Sequence, residues 1–321
     1  MRDHFVEAVS LEAKRDPKVH LITGDLGFGV LTKFEKDYPS QYTNAGVAEQ
    51  SMTGLAAGLA MAGFKVFTYS IGNFSTLRCL EQIRNDICYH DLNVTIVSVG
   101  GGFSYGALGF SHHATEDLSI MRSLPGISVY VPGCIWEAQE ITKGLFGRPG
   151  PKYLRIDKSG TLSTRKPDEI FAFEKVRMLC HGEDVLIVAA GGILEEALAA
   201  ESILRRSGIF ASVMSIHSLK PFDGNGFLEV AKRFSHIVSL EENVVEGGLG
   251  SLLAETLFDS GLSGRKLLRL GIRKELSVVG DQKYLRKQHH LDAESVSAQI
   301  REIISLRKDV FKNVSSLEAR L

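Results

Sequence analysis

Short runs of apolar residues, separated by longer stretches with helical periodicity, are the feature of this sequence that restricts its fold most. In the first half, five such runs are predicted to be strands: residues 19–23, 65–69, 94–99, 128–131 and 152–156. Each run is apolar on both faces, which is typical of parallel strands buried between layers of crossover helices. The sequence therefore predicts an α/β fold with a doubly wound parallel sheet.

A change of pattern between Asp157 and Asp184 indicates a second domain. Polar residues occupy 158–167, and an apolar patch at 170–173 stands alone before strand and helix patterns resume. A chain of 321 residues exceeds the length at which a single core usually divides, about 250 to 300 residues. The later elements are predicted at 184–192, 212–216 and 236–240 for strands and at 195–206 and 293–306 for helices. We expect a first domain over residues 1–165, a linker over 166–182 and a second doubly wound domain over 183–321.

The charge balance argues against nucleic acid and membrane surfaces as partners. The 37 Lys and Arg residues nearly cancel the 38 Asp and Glu residues, so the net charge of -1 offers no long-range attraction to polyanions. No apolar run approaches the length of a membrane helix, about 20 residues, and the first residues form no apolar signal core. The four cysteines have no Cys-x-x-Cys spacing and are interpreted as reduced thiols, so we expect a cytoplasmic protein.

Glu49 is the acid with the most informative surroundings. Residues 42–48 have a loop pattern, and the helix pattern that begins at Glu49 ends before Gly63. An acid in a first helical turn is usually a solvent-facing residue that offsets the helix dipole. Here the neighbours are small or apolar, so a buried helix would leave this carboxylate in need of a proton or a specific donor.

The same helix is rich in small residues, which are Gly54, Ala56, Ala57, Gly58 and Ala60. Short side chains allow two backbones to approach closely, as a tight subunit interface requires. We therefore expect the chain to associate with itself through the region around this helix.

Five more positions are candidates for chemistry, and each has an ordinary structural alternative. Histidine titrates near neutrality wherever it lies, so His112 and His113 are equally compatible with a site and with a surface loop. Tyr69 and Phe74 lie near the end of a predicted strand, where aromatic residues are more often part of the core. Arg155 suits either a phosphate group or an ion pair at the end of its strand.

Several segments together resemble the C-terminal two domains of transketolases and of the related deoxyxylulose-phosphate synthases. They are Ala48-Glu49-Gln50 at the helix start, residues 109–125 with the histidine pair, and residues 239–250 and 280–285. The resemblance covers about residues 5–310 in unbroken order. It implies a parallel-sheet pyrimidine-binding domain followed by a transketolase C-terminal-like domain with a mixed sheet.

The resemblance also implies roles for individual residues. Glu49 would bind the pyrimidine N1′ of thiamine diphosphate and favour the imino tautomer that activates the cofactor. Phe74 would stack on the aminopyrimidine ring, with Tyr69 as the alternative because the register requires a shift of one residue. His112 would act on substrate oxygens, and Arg155 would hold a substrate phosphate. His113 has no family role, and we count it only as a candidate substrate contact.

The diphosphate half of the family's site has no counterpart in this sequence. Relatives hold Mg²⁺ through a Gly-Asp-Gly segment followed by Asn, and the nearest candidate here, residues 24–27, corresponds to an interface strand end. A divalent ion on a diphosphate needs several oxygen ligands from a fixed loop. The resemblance therefore implies a partner, an N-terminal diphosphate-binding subunit that holds Mg²⁺ or Ca²⁺ in an α2β2 complex.

Two departures from sugar transketolases leave the donor and acceptor sugars open. Gly100-Gly101-Gly102 replaces a histidine, and Leu108-Gly109-Phe110 replaces Asp-Gly-Pro. The leading hypothesis is transfer of a two-carbon ketol unit from a ketose or its phosphate to an aldehyde. The alternatives are the β subunit of a 2-oxoacid dehydrogenase, a non-catalytic assembly subunit, and a stand-alone nucleotide-binding protein, although the glycines at 247–250 lack the dinucleotide spacing.

Overall fold

Two sheets, each covered by helices, make up the chain in the computed structural model, which describes residues 1–158, 163–273 and 278–318, with side chains up to residue 305. The strands in these ranges are β1 Val19–Thr23, β2 Tyr42–Asn44, β3 Lys65–Ile71, β4 Val94–Val99, β5 Ser128–Tyr130, β6 Lys152–Ile156, β7 Arg177–Cys180, β8 Val185–Ala190, β9 Ala211–Ser215, β10 Ser218–Lys220, β11 His236–Val244 and β12 Lys266–Ile272. The α-helices are α1 Arg2–Ala13, α2 Thr32–Asp37, α3 Glu49–Met61, α4 Gly72–Thr76, α5 Leu80–Gln82, α6 Asp117–Ser123, α7 Ile135–Leu145, α8 Leu194–Arg206, α9 Gly224–Ala231, α10 Leu249–Asp259, α11 Gln282–Gln288 and α12 Ala293–Glu318.

The first sheet has seven strands in the order β10-β5-β6-β4-β3-β1-β2. All neighbours are parallel except β10, which pairs antiparallel with β5 at the edge. Every residue of β1, β4 and β6 is buried, which confirms the interpretation of the continuous apolar runs. The α/β class predicted from the sequence is therefore confirmed.

Successive residues of each central strand point to opposite faces of this sheet, and both faces are covered. Leu21 belongs to a core layer with Phe5 of α1 and Ile141 of α7. Its neighbour Ile22 belongs to the opposite layer, which includes Met52 of α3. Since helix α3 is packed on the sheet through this layer, its first residue, Glu49, has a defined position relative to the strand ends.

The second sheet has the order β12-β11-β8-β9-β7 and is mixed, because β7 alone pairs antiparallel. One of its faces is covered by α8 and α12, through residues such as Ala197 and Val296. This arrangement confirms the expected mixed sheet in the second half of the chain.

The structure differs from the expected linker at residues 166–182, because β7 lies inside that range and belongs to the second sheet. The sequence pattern missed β7 because the strand has only four residues and begins with a charged one, Arg177. That guanidinium is buried and paired with Glu137 at 3.0 Å and Glu169 at 2.7 Å, which compensates its desolvation. Strand β10 was missed as well, and it extends from the second half of the chain to the first sheet.

Candidate active site

The loops that follow several strands of the first sheet meet at the carboxyl edge of that sheet. Ligand sites of parallel α/β sheets usually lie at this edge, outside the carboxyl ends of the strands. Glu49 follows β2, Phe74 and Arg78 follow β3, and His112 follows β4. The chain connections therefore bring distant sequence segments into one candidate site.

Glu49 is the first residue of α3, and its side chain is only 3% exposed. Arg78 donates a hydrogen bond from Nη1 to Oε2 of Glu49 at 2.7 Å. Gly24, at the end of β1, lies against the acid, because a Cβ on this glycine would be 3.5 Å from Cγ of Glu49. The carboxylate is thus buried with a specific cationic donor and does not face water.

Phe74 lies in α4, beside the arginine that binds Glu49. The guanidinium carbon of Arg78 is 4.7 Å from the centroid of the Phe74 ring. On another side, the ring of His112 meets Phe74 edge-on at a centroid distance of 5.0 Å. The structure therefore brings Glu49, Phe74 and His112 together around Arg78, which sequence reasoning did not single out.

Tyr69, the alternative to Phe74, lies in the core. It is fully buried in β3 and stacks on Phe5 at a centroid distance of 6.0 Å. Burial raises the pKa of its phenol above the ordinary value. Of the two aromatic candidates, only Phe74 is therefore placed beside the arginine and the buried acid.

The two neighbouring histidines have different surroundings. His112 is partly exposed, and its Nδ1 lies 3.0 Å from the hydroxyl of Ser111. The Asn73 side chain donates to the carbonyl of Ser111 at 2.9 Å and so ties this loop to α4. His113 is buried, with its ring 5.2 Å from that of Phe103. The structure therefore places His112 at the site and His113 inside the loop.

Arg155 is buried beneath the loop and paired within the protein. Its Nη1 donates to Asp117 at 3.1 Å, and its Nη2 donates to the backbone carbonyl of Glu242 at 2.8 Å. Asp117 also accepts a hydrogen bond from the hydroxyl of Tyr153 at 2.5 Å. The geometry supports the ion pair, one of the two alternatives that the sequence left open, over contact with a phosphate.

Two of the three glycines at 100–102 are required by close contacts with buried charged side chains. A Cβ on Gly101 would lie 1.8 Å from Nε of Arg155, and one on Gly102 would lie 2.4 Å from Oε1 of Glu242. Gly102 also has a φ of +56°, which favours glycine. The loop before His112 is therefore packed directly on charged groups, which explains why larger residues are absent here.

Glu242 of the second domain binds the backbone of this loop, a contact that the sequence did not predict. Its Oε1 accepts from the backbone N–H of Phe103 at 2.5 Å and from Gln282 at 2.9 Å. Its Oε2 accepts from Nε of Arg286 at 2.6 Å. In the sequence, residues 239–250 and 280–285 carry only a family likeness, because periodicity does not reveal which buried charges pair.

Asp157 extends this buried charge cluster at the end of β6. Burial raises the pKa of its carboxyl to about 6, and the nearby Glu242 carboxylate acts in the same direction. The guanidinium groups of Arg155 and Arg286 oppose the rise. Asp157 is therefore a carboxyl that is close to half protonated in mildly acidic solution.

The residues present fit one half of a thiamine cofactor. A buried carboxylate and a neighbouring aromatic face, Glu49 and Phe74, match the hydrogen-bonding edge and the flat ring of an aminopyrimidine. Among residues 1–158, 163–273 and 278–318, no group of three His, Cys, Asp or Glu side chains is arranged to hold a metal ion. In the same ranges, the helices are too short or too polar to cross a membrane.

Two domain families match the chain in succession. The family described as "Transketolase, pyrimidine binding domain" matches residues 1–161. The family described as "Transketolase, C-terminal domain" matches residues 174–296. The chain belongs to the transketolase family. Since the match to the first domain contains Glu49, Phe74 and His112, the candidate site lies in the pyrimidine-binding domain.

Individual relatives agree with this assignment over almost the whole length. A putative transketolase C-terminal section of Methanocaldococcus jannaschii is 35% identical, over 94% of this chain and 95% of that protein. A subunit of an apulose-4-phosphate transketolase from Phocaeicola vulgatus is 32% identical, over 94% of this chain and 97% of that protein. A solved structure of a split gene transketolase, described as an inactive beta4 tetramer, has a TM-score of 0.85 at 34% identity and covers 95% of this chain and 98% of that one.

Proposed function

We propose that this chain is the cofactor-activating subunit of a two-subunit transketolase. With an N-terminal, diphosphate-binding subunit it forms an α2β2 complex that transfers a two-carbon ketol unit from a ketose or ketose phosphate to an aldehyde. Thiamine diphosphate is shared between the two kinds of subunit, and the partner holds Mg²⁺ or Ca²⁺. The likeness to a subunit of an apulose-4-phosphate transketolase over 94% of the chain supports this proposal.

The buried carboxylate of Glu49 is the observation that carries the proposal. When bound, thiamine diphosphate supplies the electron sink for cleavage of the carbon–carbon bond of the ketose. Glu49 binds the pyrimidine edge and holds a proton at N1′, which a buried, directed carboxylate does more effectively than one in water. Phe74 orients the ring by stacking on its face.

His112 is the residue best placed to contact the substrate among the candidates. It is partly exposed and lies against Phe74, so it borders the position that we assign to the ring. Its imidazole donates a hydrogen bond or a proton to oxygen atoms of the substrate. Arg155 and His113 are buried, so we assign them the support of the loop that carries His112.

Replacement of Glu49 by Gln in the reconstituted complex tests the proposal. The amide keeps the size of the side chain and removes the proton-holding charge, so we expect ketol transfer to fall by about 100-fold or more. The matched control is Glu81→Gln, because Glu81 is exposed on α5 and lies outside the set of site residues. Unchanged turnover in Glu49→Gln would contradict a catalytic role and favour a non-catalytic assembly subunit.

A further inference from the structure

Arg78 makes two contacts at once, and both are with residues that we assign to the cofactor. Its Nη1 donates to the buried Oε2 of Glu49 at 2.7 Å, and its guanidinium carbon is 4.7 Å from the centroid of the Phe74 ring. Arg78 lies in the short turn Leu77–Cys79 after α4. This turn places the planar cation between the acid and the aromatic ring.

These two contacts are the ones that an aminopyrimidine would make in the same place. A guanidinium is flat, donates hydrogen bonds within its plane and stacks on aromatic faces. An aminopyrimidine is also flat, binds the carboxylate of Glu49 through its edge and stacks on Phe74 through its face. The arginine head group and the cofactor ring therefore compete for the same carboxylate oxygen and the same ring.

We propose that Arg78 is a placeholder for the pyrimidine ring, which pairs with Glu49 while the subunit is empty and moves away when thiamine diphosphate binds. This inference rests on the proposed function, because that function assigns Glu49 to the pyrimidine edge. In the free subunit, Arg78 supplies the donor that a carboxylate with 3% exposure requires.

The difference in exposure between the two partners indicates which one moves. The Glu49 side chain is 3% exposed and is held at the start of α3, whereas the Arg78 side chain is 47% exposed. A released guanidinium can be solvated by water without displacing any core residue. Part of the cofactor's binding free energy is therefore used to break the pair between Arg78 and Glu49, which lowers the affinity of the complex for thiamine diphosphate.

The first test measures the dissociation constant of thiamine diphosphate, by calorimetry, for complexes assembled with Arg78→Leu. Loss of the competing cation is expected to tighten binding roughly five- to tenfold, the scale of one partly exposed ion pair with a ring contact. The control is Arg84→Leu, because Arg84 is exposed on the following turn and bonds to Asn85. For the Arg84→Leu complex, the dissociation constant of thiamine diphosphate is expected to equal that of the wild type.

The second test needs neither cofactor nor partner. Urea unfolding of the isolated chain is compared for wild type, Arg78→Leu, Glu49→Gln and the double variant. If Arg78 neutralises the buried acid, its loss lowers the folding equilibrium constant about tenfold in the wild-type background and much less in the Glu49→Gln background. Arg78→Gln, which keeps a donor and loses the charge, replaces Arg78→Leu in both tests if the latter does not fold.

The outcomes separate this inference from the proposed function. Weaker or unchanged cofactor binding in Arg78→Leu, or additive effects in the unfolding cycle, would overturn the placeholder role and leave the transketolase proposal intact. A wild-type complex that binds no thiamine diphosphate would overturn the proposed function and the placeholder role together. Tighter binding with a non-additive cycle supports both.

Discussion

At the scale of single residues, the site combines acids whose burial has different consequences. Glu49 is buried against a half-exposed cation at the surface, and Asp157 is buried within a fixed cluster of charges. The first arrangement leaves an acid that a ligand can reach once the cation leaves. The second arrangement affects the stability of the fold and its dependence on pH.

The raised pKa of Asp157 predicts that the free energy of unfolding depends on pH. Its folded-state pKa of about 6 is above the ordinary value of 3.8, so between these values the folded state holds a proton that the unfolded state releases. The stability that this group contributes is therefore gained as pH falls from about 6 to about 4 and lost as pH rises through about 6. Asp157→Asn is neutral at every pH, so its free energy of unfolding should exceed that of the wild type by up to about 3 kcal/mol at pH 7.

Urea unfolding across the range from about pH 4 to about pH 7 checks this expectation for Asp157→Asn. The difference in the free energy of unfolding between the variant and the wild type should shrink toward the acidic end, where both side chains are largely neutral. Asp259→Asn is the control, because Asp259 is exposed at the end of α10 and should show no comparable trend. An advantage that stays constant with pH would show that Asp157 does not titrate in this range.

At the scale of elements, helix α3 presents one face to the sheet and another to the outside. Met52 and Ala56 are buried in the core, whereas Gly54 and Gly58 lie on the open side, with no atom within 4 Å of an added Cβ. Large apolar side chains of the same helix, such as Met61, are exposed. We propose that self-association occurs through this face, as the small residues of the sequence suggested.

Gly54→Leu together with Gly58→Leu tests this interface. In the single subunit these changes meet open space and raise helix propensity, so the stability of the subunit should rise by about 1 kcal/mol or more. Close packing of two copies would be prevented, so the dissociation constant of self-association should rise about tenfold or more. Sedimentation velocity measures this dissociation constant. The control is Gly264→Leu, because a Cβ added at Gly264 also meets no atom within 4 Å. Unchanged association would place the interface elsewhere.

At the scale of the whole molecule, the two halves are joined by charges beneath the loop that carries His112. Glu242 accepts from Phe103 of the first half and from Gln282 and Arg286 of the second. Strand β10 adds a second connection, since it completes the edge of the first sheet. The loop at 100–113 is therefore positioned by both halves of the chain.

Glu242→Gln is expected to weaken this junction. Loss of one charge leaves the buried Arg286 with Glu195 and Glu196 as its acidic partners, so the free energy of unfolding should fall by about 2 kcal/mol, the scale of one buried charged hydrogen bond. Amide exchange at residues 100–106 should accelerate as well, because the Phe103 N–H loses a charged acceptor. The comparison is Glu229→Gln, whose pair with Lys232 is exposed and should change the free energy of unfolding by less than about 1 kcal/mol. Equal effects in the two variants would contradict a coupling role for Glu242.

Much of the fold was predictable because its strands are local patterns. Strands β4 and β6 coincide with the predicted runs, and helix α8 begins one residue before its predicted start. Strands β7 and β10 were missed, since a short strand that contains a charge has no distinctive pattern. For the candidate site, the sequence predicted that Glu49 lies in the first turn of a helix, which is α3, whereas Arg78 carried no local signal.

The sequence alone determined the α/β class, the two sheets and the acid at the start of α3, because apolar periodicity and helix signals act between near neighbours. Only the tertiary structure decided that Arg78, 29 residues away, pairs with Glu49, and that Arg155 pairs with Asp117. Which charged residues pair in the interior depends on which loops meet at a sheet edge. That choice depends on the packing of the whole chain, and no stretch of sequence encodes it locally.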